Sequence, residues 1–290
     1  MTERPQMCVG NDVPVLVTMF NRPDHASRVI DVLAKTRPRR LFLAVDGPRS
    51  GVAGDEEGAS GCRELVSRID WDCELHTRFR ETNLGCREGM IDGVSWFFDH
   101  VESGVVLEDD CVPDDDFFRY AAETLARYGG EPGFMQLSGY AHLENPRGEV
   151  YFLPLTSSWG WGTTRSVWRN FLEKRSGYAD DFENHPELHA AFDLGGRYPY
   201  SKMFLRNLRG KVSSWAILFY WHVFRAGGLV AYPAQSLIRN IGFDGSGSHC
   251  NARSGDGGMG EPPRRHGGIL PEEMTCDEPL FEKVRQHLAR

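Results

Sequence analysis

The sequence predicts an α/β protein built on a doubly wound, mostly parallel sheet, with a smaller aromatic-rich half following it. Three observations carry this. Strand-length apolar runs alternate with helical periodicity over roughly the first 140 residues. The fourth apolar run, Gly104-Val105-Val106-Leu107, ends abruptly in Glu108, Asp109 and Asp110. Aromatic residues become dense only after residues 134–137.

Residues 13–20 form an apolar run that reads as a buried first strand. Asn21-Arg22-Pro23-Asp24 is a turn with proline at an early helical position, and Ala26, Val29, Ile30 and Leu33 mark one helical face. A second strand over residues 41–45 stops at Asp46-Gly47-Pro48. Residues 51–61 read as a polar, Gly-rich loop, followed by a short helical pattern around Leu65. Residues 72–80 alternate Cys73, Leu75, Thr77 and Phe79 with polar residues, the period of a strand. Met90, Val94, Phe97 and Val101 form the stripe of the helix that leads into the acidic strand. This βαβαβαβ order implies parallel strands with right-handed crossovers. Later, residues 228–232 read as another strand, residues 242–260 as a Gly- and Ser-rich lid too long for a turn, and residues 262–290 as a basic patch with a final helix. The expected organisation is one domain over residues 1–260, with a first half (1–140) and an aromatic-rich second half with a mobile loop or lid (141–260), then a tail over 261–290.

A chain of 290 residues, 40% hydrophobic and 26% charged, can bury a full core. Its net charge of −8 argues against nucleic-acid binding. No apolar stretch is long enough to span a bilayer, and the first residues lack the apolar centre of a signal peptide. Seven scattered cysteines without a Cys-x-x-Cys pair suggest reduced thiols and a cytoplasmic location, and give no zinc signature.

Against that background the acid run is conspicuous. Two unit charges ~4 Å apart repel by about 4 kcal/mol at an effective dielectric of 20, so fixed neighbouring carboxylates call for a cation. Oxygen ligands suit Mg²⁺, Mn²⁺ or Ca²⁺ rather than zinc. The competing explanation is a solvated acidic turn, since Cys111-Val112-Pro113-Asp114 follows directly. In open α/β sheets, however, the carboxyl ends of the strands are where ligands bind. An acidic protein that binds phosphate there must do so through Arg, Lys or a metal.

Several of these features together resemble the GT-A glycosyltransferases, and within them the bacterial relatives of N-acetylglucosaminyltransferase I. They are Phe20-Asn21-Arg22-Pro23, the strand ending in Asp46, Asn83-Leu84-Gly85, Glu108-Asp109-Asp110 followed by Pro113 and Phe117-Phe118, Trp159-Gly160-Trp161-Gly162, and Asn240-Ile241-Gly242-Phe243 leading to Ser248-His249. The resemblance runs from about Val13 to Cys250. It implies a GT-A fold and metal-dependent transfer of a sugar from a nucleotide-diphosphate donor, with uridine as the base and Mn²⁺ or Mg²⁺ as cofactor. The acceptor would be a small molecule or glycan offering a hydroxyl or amine, and the transfer would invert the anomeric carbon.

By the same resemblance, Arg22 contacts the diphosphate, Asp46 the base, and Asn83 and Arg87 the phosphates and ribose. Asp110 is the chief metal ligand, Asp109 lies near ribose and metal water, Glu108 near the donor sugar, and His249 supplies a second metal ligand. Each has a plainer alternative: a surface arginine, a turn aspartate, a solvated first helical turn, an exposed loop histidine. Trp159 and Trp161, set among glycines and serines, suit stacking on an acceptor, though tryptophans also anchor cores. One position departs from the group: Ser213 stands in Lys211-Val212-Ser213-Ser214-Trp215 where relatives often carry an Asp that is a candidate base. A serine cannot take an acceptor proton unaided; either another carboxylate does so, Asp244 being the candidate general base and then Asp180, Asp181 or Glu183, or the acceptor needs little deprotonation. Two rivals remain. A sugar-1-phosphate nucleotidyltransferase would want a glycine-rich loop after the first strand, and the turn 20–23 has no glycine. The other, motivated by Ser213, is a non-catalytic nucleotide-sugar or glycan binder.

Overall fold

The computed structural model describes residues 12–245 and 267–289. The first part of the chain runs β1 (Val15–Met19), α1 (Pro23–Thr36), β2 (Arg40–Val45), α2 (Asp55–Glu64), β3 (Glu74–Phe79), α3 (Gly85–His100) and β4 (Ser103–Glu108). There follow β5 (Cys111–Pro113), α4 (Phe117–Tyr128), β6 (Phe134–Ser138), β7 (Tyr151–Leu153), β8 (Trp161–Thr164) and α5 (Arg165–Lys174). The remainder comprises α6 (Tyr178–Asn184), α7 (His189–Phe192), α8 (Tyr200–Leu208), α9 (Ala216–Arg225), β9 (Leu229–Tyr232), β10 (Ile238–Asn240) and α10 (Glu278–Leu288).

Eight strands form one sheet in the order β3-β2-β1-β4-β8-β6-β9-β7, and β10 pairs with β5 in a small second sheet. The strands β3, β2, β1 and β4 are mutually parallel, while β8 and β7 run against their neighbours. This is the α/β, mostly parallel, doubly wound arrangement that the alternating pattern predicts. Strand order reverses between β1 and β4: the chain builds outward to β2 and β3, then returns to the other side of β1. The register pairs Met19 with Val45 and Thr18 with Glu108. The carboxyl ends of β1, β2 and β4 therefore lie side by side.

Strands β1, β2 and β4 are largely apolar runs because both faces of the sheet are covered there, whereas the edge strand β3 alternates apolar and polar residues and is partly exposed. On one face Val15, Val17, Leu41, Leu43 and Val105 pack in the same buried cluster as Val29, Ile30 and Leu33 of α1 and Ala121 and Leu125 of α4. On the other, Leu16, Phe42 and Val106 share a cluster with Val94 and Phe97 of α3 and the aromatics of α5 and α9. Trp161 lies in this second cluster with no exposed surface, its ring 4.8 Å from that of Trp215. The expectation that Trp161 stacks on an acceptor is thereby corrected. The adjacent glycines do not bare it, because Gly160 and Gly162 are themselves pressed against Ile238 and Val105. The expected final helix is α10, which buries Leu280, Phe281 and Val284.

A second correction concerns residues 51–61, expected to be a loop. Helix α2 begins at Asp55, with Asp55, Glu56 and Glu57 in its first turn, where negative charge complements the helix dipole. Its glycines serve close packing rather than looping. A Cβ on Gly58 would lie 2.4 Å from the Asn21 carbonyl oxygen, and one on Gly61 would lie 3.1 Å from Pro23. Alanine is the better helix former by about 1 kcal/mol. Overpacking a tight contact costs about 1–3 kcal/mol, and here the neighbour is backbone. Gly58→Ala is therefore expected to lower stability in urea denaturation despite its helix propensity. A stabilised variant would show that α2 does not press on the β1–α1 turn.

Candidate functional site

The site begins where β1 stops. Arg22 occupies the N-cap position of α1 and turns its guanidinium across to the end of β4. Its Nη2 donates to Asp109 Oδ1 and to Asp110 Oδ2, the latter at 2.9 Å, and its Nε approaches Asp109 Oδ2 at 3.4 Å. All three side chains are largely buried. The cation that the acid run called for is thus supplied within the chain. Burial alone would weaken the Arg22 charge, but the two carboxylates hold the guanidinium firmly protonated. Its remaining terminus, Nη1, is buried without an acceptor.

Burial pushes the Asp109 carboxyl up to about 6, with Arg22 pulling the other way. Glu108 is pushed up to about 8 by burial, and by the neighbouring Asp110 and Asp109 charges. The three acids do not surround one point. Among the described residues no three His, Cys, Asp or Glu side chains could together hold a metal ion. Glu108 is the last strand residue, whereas Asp109 and Asp110 lie in the turn that Arg22 clasps.

The turn is fixed from its far side by β10, which pairs Asn240 with Cys111. Ile241 N donates to the Asp110 carbonyl at 2.8 Å, and Gly242 N to Asn240 Oδ1 at 2.8 Å. A Cβ on Gly242 would lie 2.3 Å from Asp110 Oδ2, so only glycine lets this backbone pass so near the carboxylate. Past Gly242, Phe243 packs against Trp159, ring centroids 5.5 Å apart, and Trp159 in turn lies 4.5 Å from Tyr140. Trp159 is half-buried, so the aromatic wall beside the acids is made by Trp159, Tyr140 and Phe243. Asp244 is half exposed and its Oδ2 lies 3.0 Å from His25 Nε2 on the first turn of α1. His25 is a site neighbour the sequence argument missed. The only signal for it was its position three residues after Arg22 in the same helix start.

The rim under β2 is held by Asp46. Its carboxylate accepts from Gly47 N (2.9 Å), Asn83 Nδ2 (3.0 Å), Leu84 N (3.0 Å) and Gly85 N (3.2 Å). These donors take up about the four lone-pair sites that a carboxylate offers. A bond from Asp46 to a nucleobase therefore requires one of them to leave. Burial raises the Asp46 carboxyl, and these backbone bonds oppose it. Asn83 and Asp46 thus meet in a clasp on the start of α3. The Arg87 side chain bonds Glu88 Oε1 (2.9 Å) and reaches the Asn207 carbonyl (3.5 Å), so in this structure it points to that side of the helix start. Ser213 Oγ accepts from Arg87 N at 3.2 Å, capping the first turn of α3. Asp181 accepts from Trp221 Nε1 and Arg225 on α9, which explains it structurally. His249 and residues 246–260 of the expected lid lie outside the described residues.

No protein-family model matches the chain, and no curated protein matches it. Among solved structures it is similar to a mannosyltransferase from Pyrobaculum calidifontis in complex with GDP-Man and Mn²⁺, at 14% identity and a TM-score of 0.36 over 56% of this chain and 46% of that one. It is also similar to HddC from Yersinia pseudotuberculosis, at 7% identity and a TM-score of 0.35 over 54% of this chain and 79% of that one. A third is the inositol-1-phosphate CTP transferase from T. maritima, at 10% identity and a TM-score of 0.31 over 54% and 73%. The chain spans about half the length of the mannosyltransferase it matches. Likeness at this level assigns no activity to the chain.

The Asp46 clasp yields a direct test. In Asp46→Asn one acceptor oxygen becomes a donor facing backbone N–H groups, and leaving such groups unsatisfied costs about 1–3 kcal/mol. The Leu84 and Gly85 amides are expected to exchange with solvent roughly 5–100-fold faster, the equivalent of that cost, as read by hydrogen exchange. Unchanged protection would show that Asp46 does not hold the start of α3.

Proposed function

We propose that the protein is a glycosyltransferase that moves a sugar from a nucleotide-diphosphate donor, a uridine one, to a hydroxyl or amine of a small-molecule or glycan acceptor, with inversion. One observation carries this reading. The buried Arg22–Asp109–Asp110 cluster sits at the carboxyl ends of β1 and β4, where strand order reverses and open α/β sheets bind their ligands. Arg22 also stands at the start of α1, where backbone N–H groups and the helix dipole favour an anion. Its unpartnered Nη1 is a donor lacking an acceptor, which a phosphate oxygen would provide.

A divalent cation fits this donor set in a particular way. Mg²⁺ bound with a diphosphate takes one or two protein carboxylates and completes its shell with phosphate and water. Asp110 and Asp109 meet that requirement, although the described residues offer no all-protein cage. When bound, Mn²⁺ or Mg²⁺ would supply Lewis-acid neutralisation of the departing diphosphate. Arg22 adds the second positive charge, and Glu108, at the end of β4, would lie near the donor sugar. The wall of Trp159, Tyr140 and Phe243 supplies the apolar surface on which an acceptor ring would lie. Proton removal from the acceptor falls to Asp244, with His25 in hydrogen-bonding contact behind it.

Incubation with a panel of nucleotide sugars and Mn²⁺, followed by assay of released nucleoside diphosphate, tests the reading. Donor-specific release is the expected result. Tight donor binding without turnover would mark a binding protein instead, and formation of nucleotide sugar from a nucleoside triphosphate a nucleotidyltransferase. Asp110→Asn is expected to abolish the Mn²⁺ dependence of donor binding in calorimetry; equal donor affinity with chelator in the wild-type protein would refute the metal's role. Asp244→Asn is expected to lower turnover by about 10²–10⁴-fold, the span of general base catalysis, with donor affinity nearly unchanged. Near-normal turnover in that variant would assign Asp244 to the turn alone.

A further inference from the structure

We infer that Arg22 is the resident counter-ion of the acid pair and excludes a metal ion from it until a diphosphate arrives. The inference rests on the donor site proposed above and adds an order of assembly to it. Arg22 Nη2 lies between Asp109 and Asp110, bonding an oxygen of each, and so fills the position between the carboxylates where a small cation would neutralise both. Asp110 Oδ2 is closed on its other flank by the Gly242 backbone, which passes near enough to forbid a Cβ. While Arg22 stays, that oxygen is bonded on one side and crowded on another, which leaves little room beside it for a metal ion.

The same guanidinium is built to be drawn off. Its Nη1 is buried and bonds nothing, and its Nε makes only a long contact with Asp109. The backbone behind it opens α1, a 14-residue helix whose N-terminus attracts anions. A diphosphate entering there accepts from Nη1, and its charge competes with the carboxylates for the rest of the fork. As Arg22 turns to the phosphate, Asp109 and Asp110 lose their counter-ion and become acceptors for a cation. Two positive ions on one pair of acids repel, so the metal alone gains little in the free protein. With the diphosphate present, Arg22 and the metal each have their own anionic partner. Metal and nucleotide binding are then coupled through Arg22, and the coupling is reciprocal.

The test measures Mn²⁺ affinity by electron paramagnetic resonance of the free ion, with and without saturating uridine diphosphate. Mn²⁺ held by the nucleotide in solution is determined in parallel and subtracted. Wild-type protein is expected to bind Mn²⁺ weakly alone and about 5–150-fold more tightly with the nucleotide, the usual span of a coupling. Arg22→Gln, which keeps a planar polar side chain but no charge, is expected to bind Mn²⁺ alone at least about tenfold more tightly than wild type and to lose most of the nucleotide's gain. Arg22→Lys keeps the charge and is expected to stay near wild type without nucleotide. An Arg22→Gln protein with unchanged circular dichroism and melting that binds Mn²⁺ alone no more tightly than wild type would overturn the inference. So would wild-type protein whose Mn²⁺ affinity is the same with and without the nucleotide, a result that needs no variant. Wild-type protein that binds no Mn²⁺ in either condition would overturn the metal reading of the donor site, and this inference with it.

Discussion

Two carboxylates buried side by side at the end of β4 are the constraint around which this end of the molecule is arranged. Uncompensated, they would be an expense of several kcal/mol per ion, and removing the partner of a buried charge typically costs about 3–5 kcal/mol. Arg22 offsets this with a fork that bonds both acids. The fork can only do so because β1 and β4 are hydrogen-bonded neighbours and end at the same level. Sheet order therefore comes first, and the electrostatics of the site follow from it. What remains unsatisfied, the buried Nη1, is the kind of local deficit that stable folds avoid unless a ligand makes it good.

The loops around this cluster are held by charge and by close backbone contact rather than by length. Asp55, at the start of α2, accepts from Asn21 Nδ2 and from Arg49, and the Arg49 hydrogen bonds hold its carboxyl well below the usual range. This ties the turn after β2 to the turn after β1, where Arg49 also lies over the Phe20 ring. Asp46 performs the same service between β2 and α3. Gly58 and Gly47 mark the places where one backbone crosses another too closely for any side chain, and Gly242 the place where the backbone passes the Asp110 carboxylate as closely. These contacts tie the strand ends, the turns and the helix start to one another.

Much of this was legible in the residues. Apolar runs separated by helical stripes pointed to the parallel strands, and the acids at the end of the fourth run lie at the edge where β1, β2 and β4 end together. Residues 51–61 misled because glycine signals both looping and close packing, and only the position of Asn21 in space tells which. Trp161 misled for a related reason: flanking glycines suggested exposure, when they were there to let β8 lie tightly against Ile238 and β4. The Arg22 contact with the acids had no sequence signal, since the partners are 87 and 88 residues apart. An argument that asked only for a cation among the acids could not distinguish a metal from an arginine delivered by the neighbouring strand.

Ser213 shows how such a substitution can be absorbed. The sequence pattern raises the expectation of an acid at this position; the Ser213 hydroxyl instead caps the first turn of α3 through Arg87 N. An aspartate could cap the same amide, because N-terminal turns accept either residue. The position therefore has a structural use that survives the loss of the acid. On the proposed reading, the acceptor proton would go to a group elsewhere beside the cluster. Asp244 is placed there by the same Gly242 passage that closes Asp110. The segment after β10 thus touches both carboxylates that the proposed reaction would use: its backbone confines Asp110, and its continuation carries Asp244.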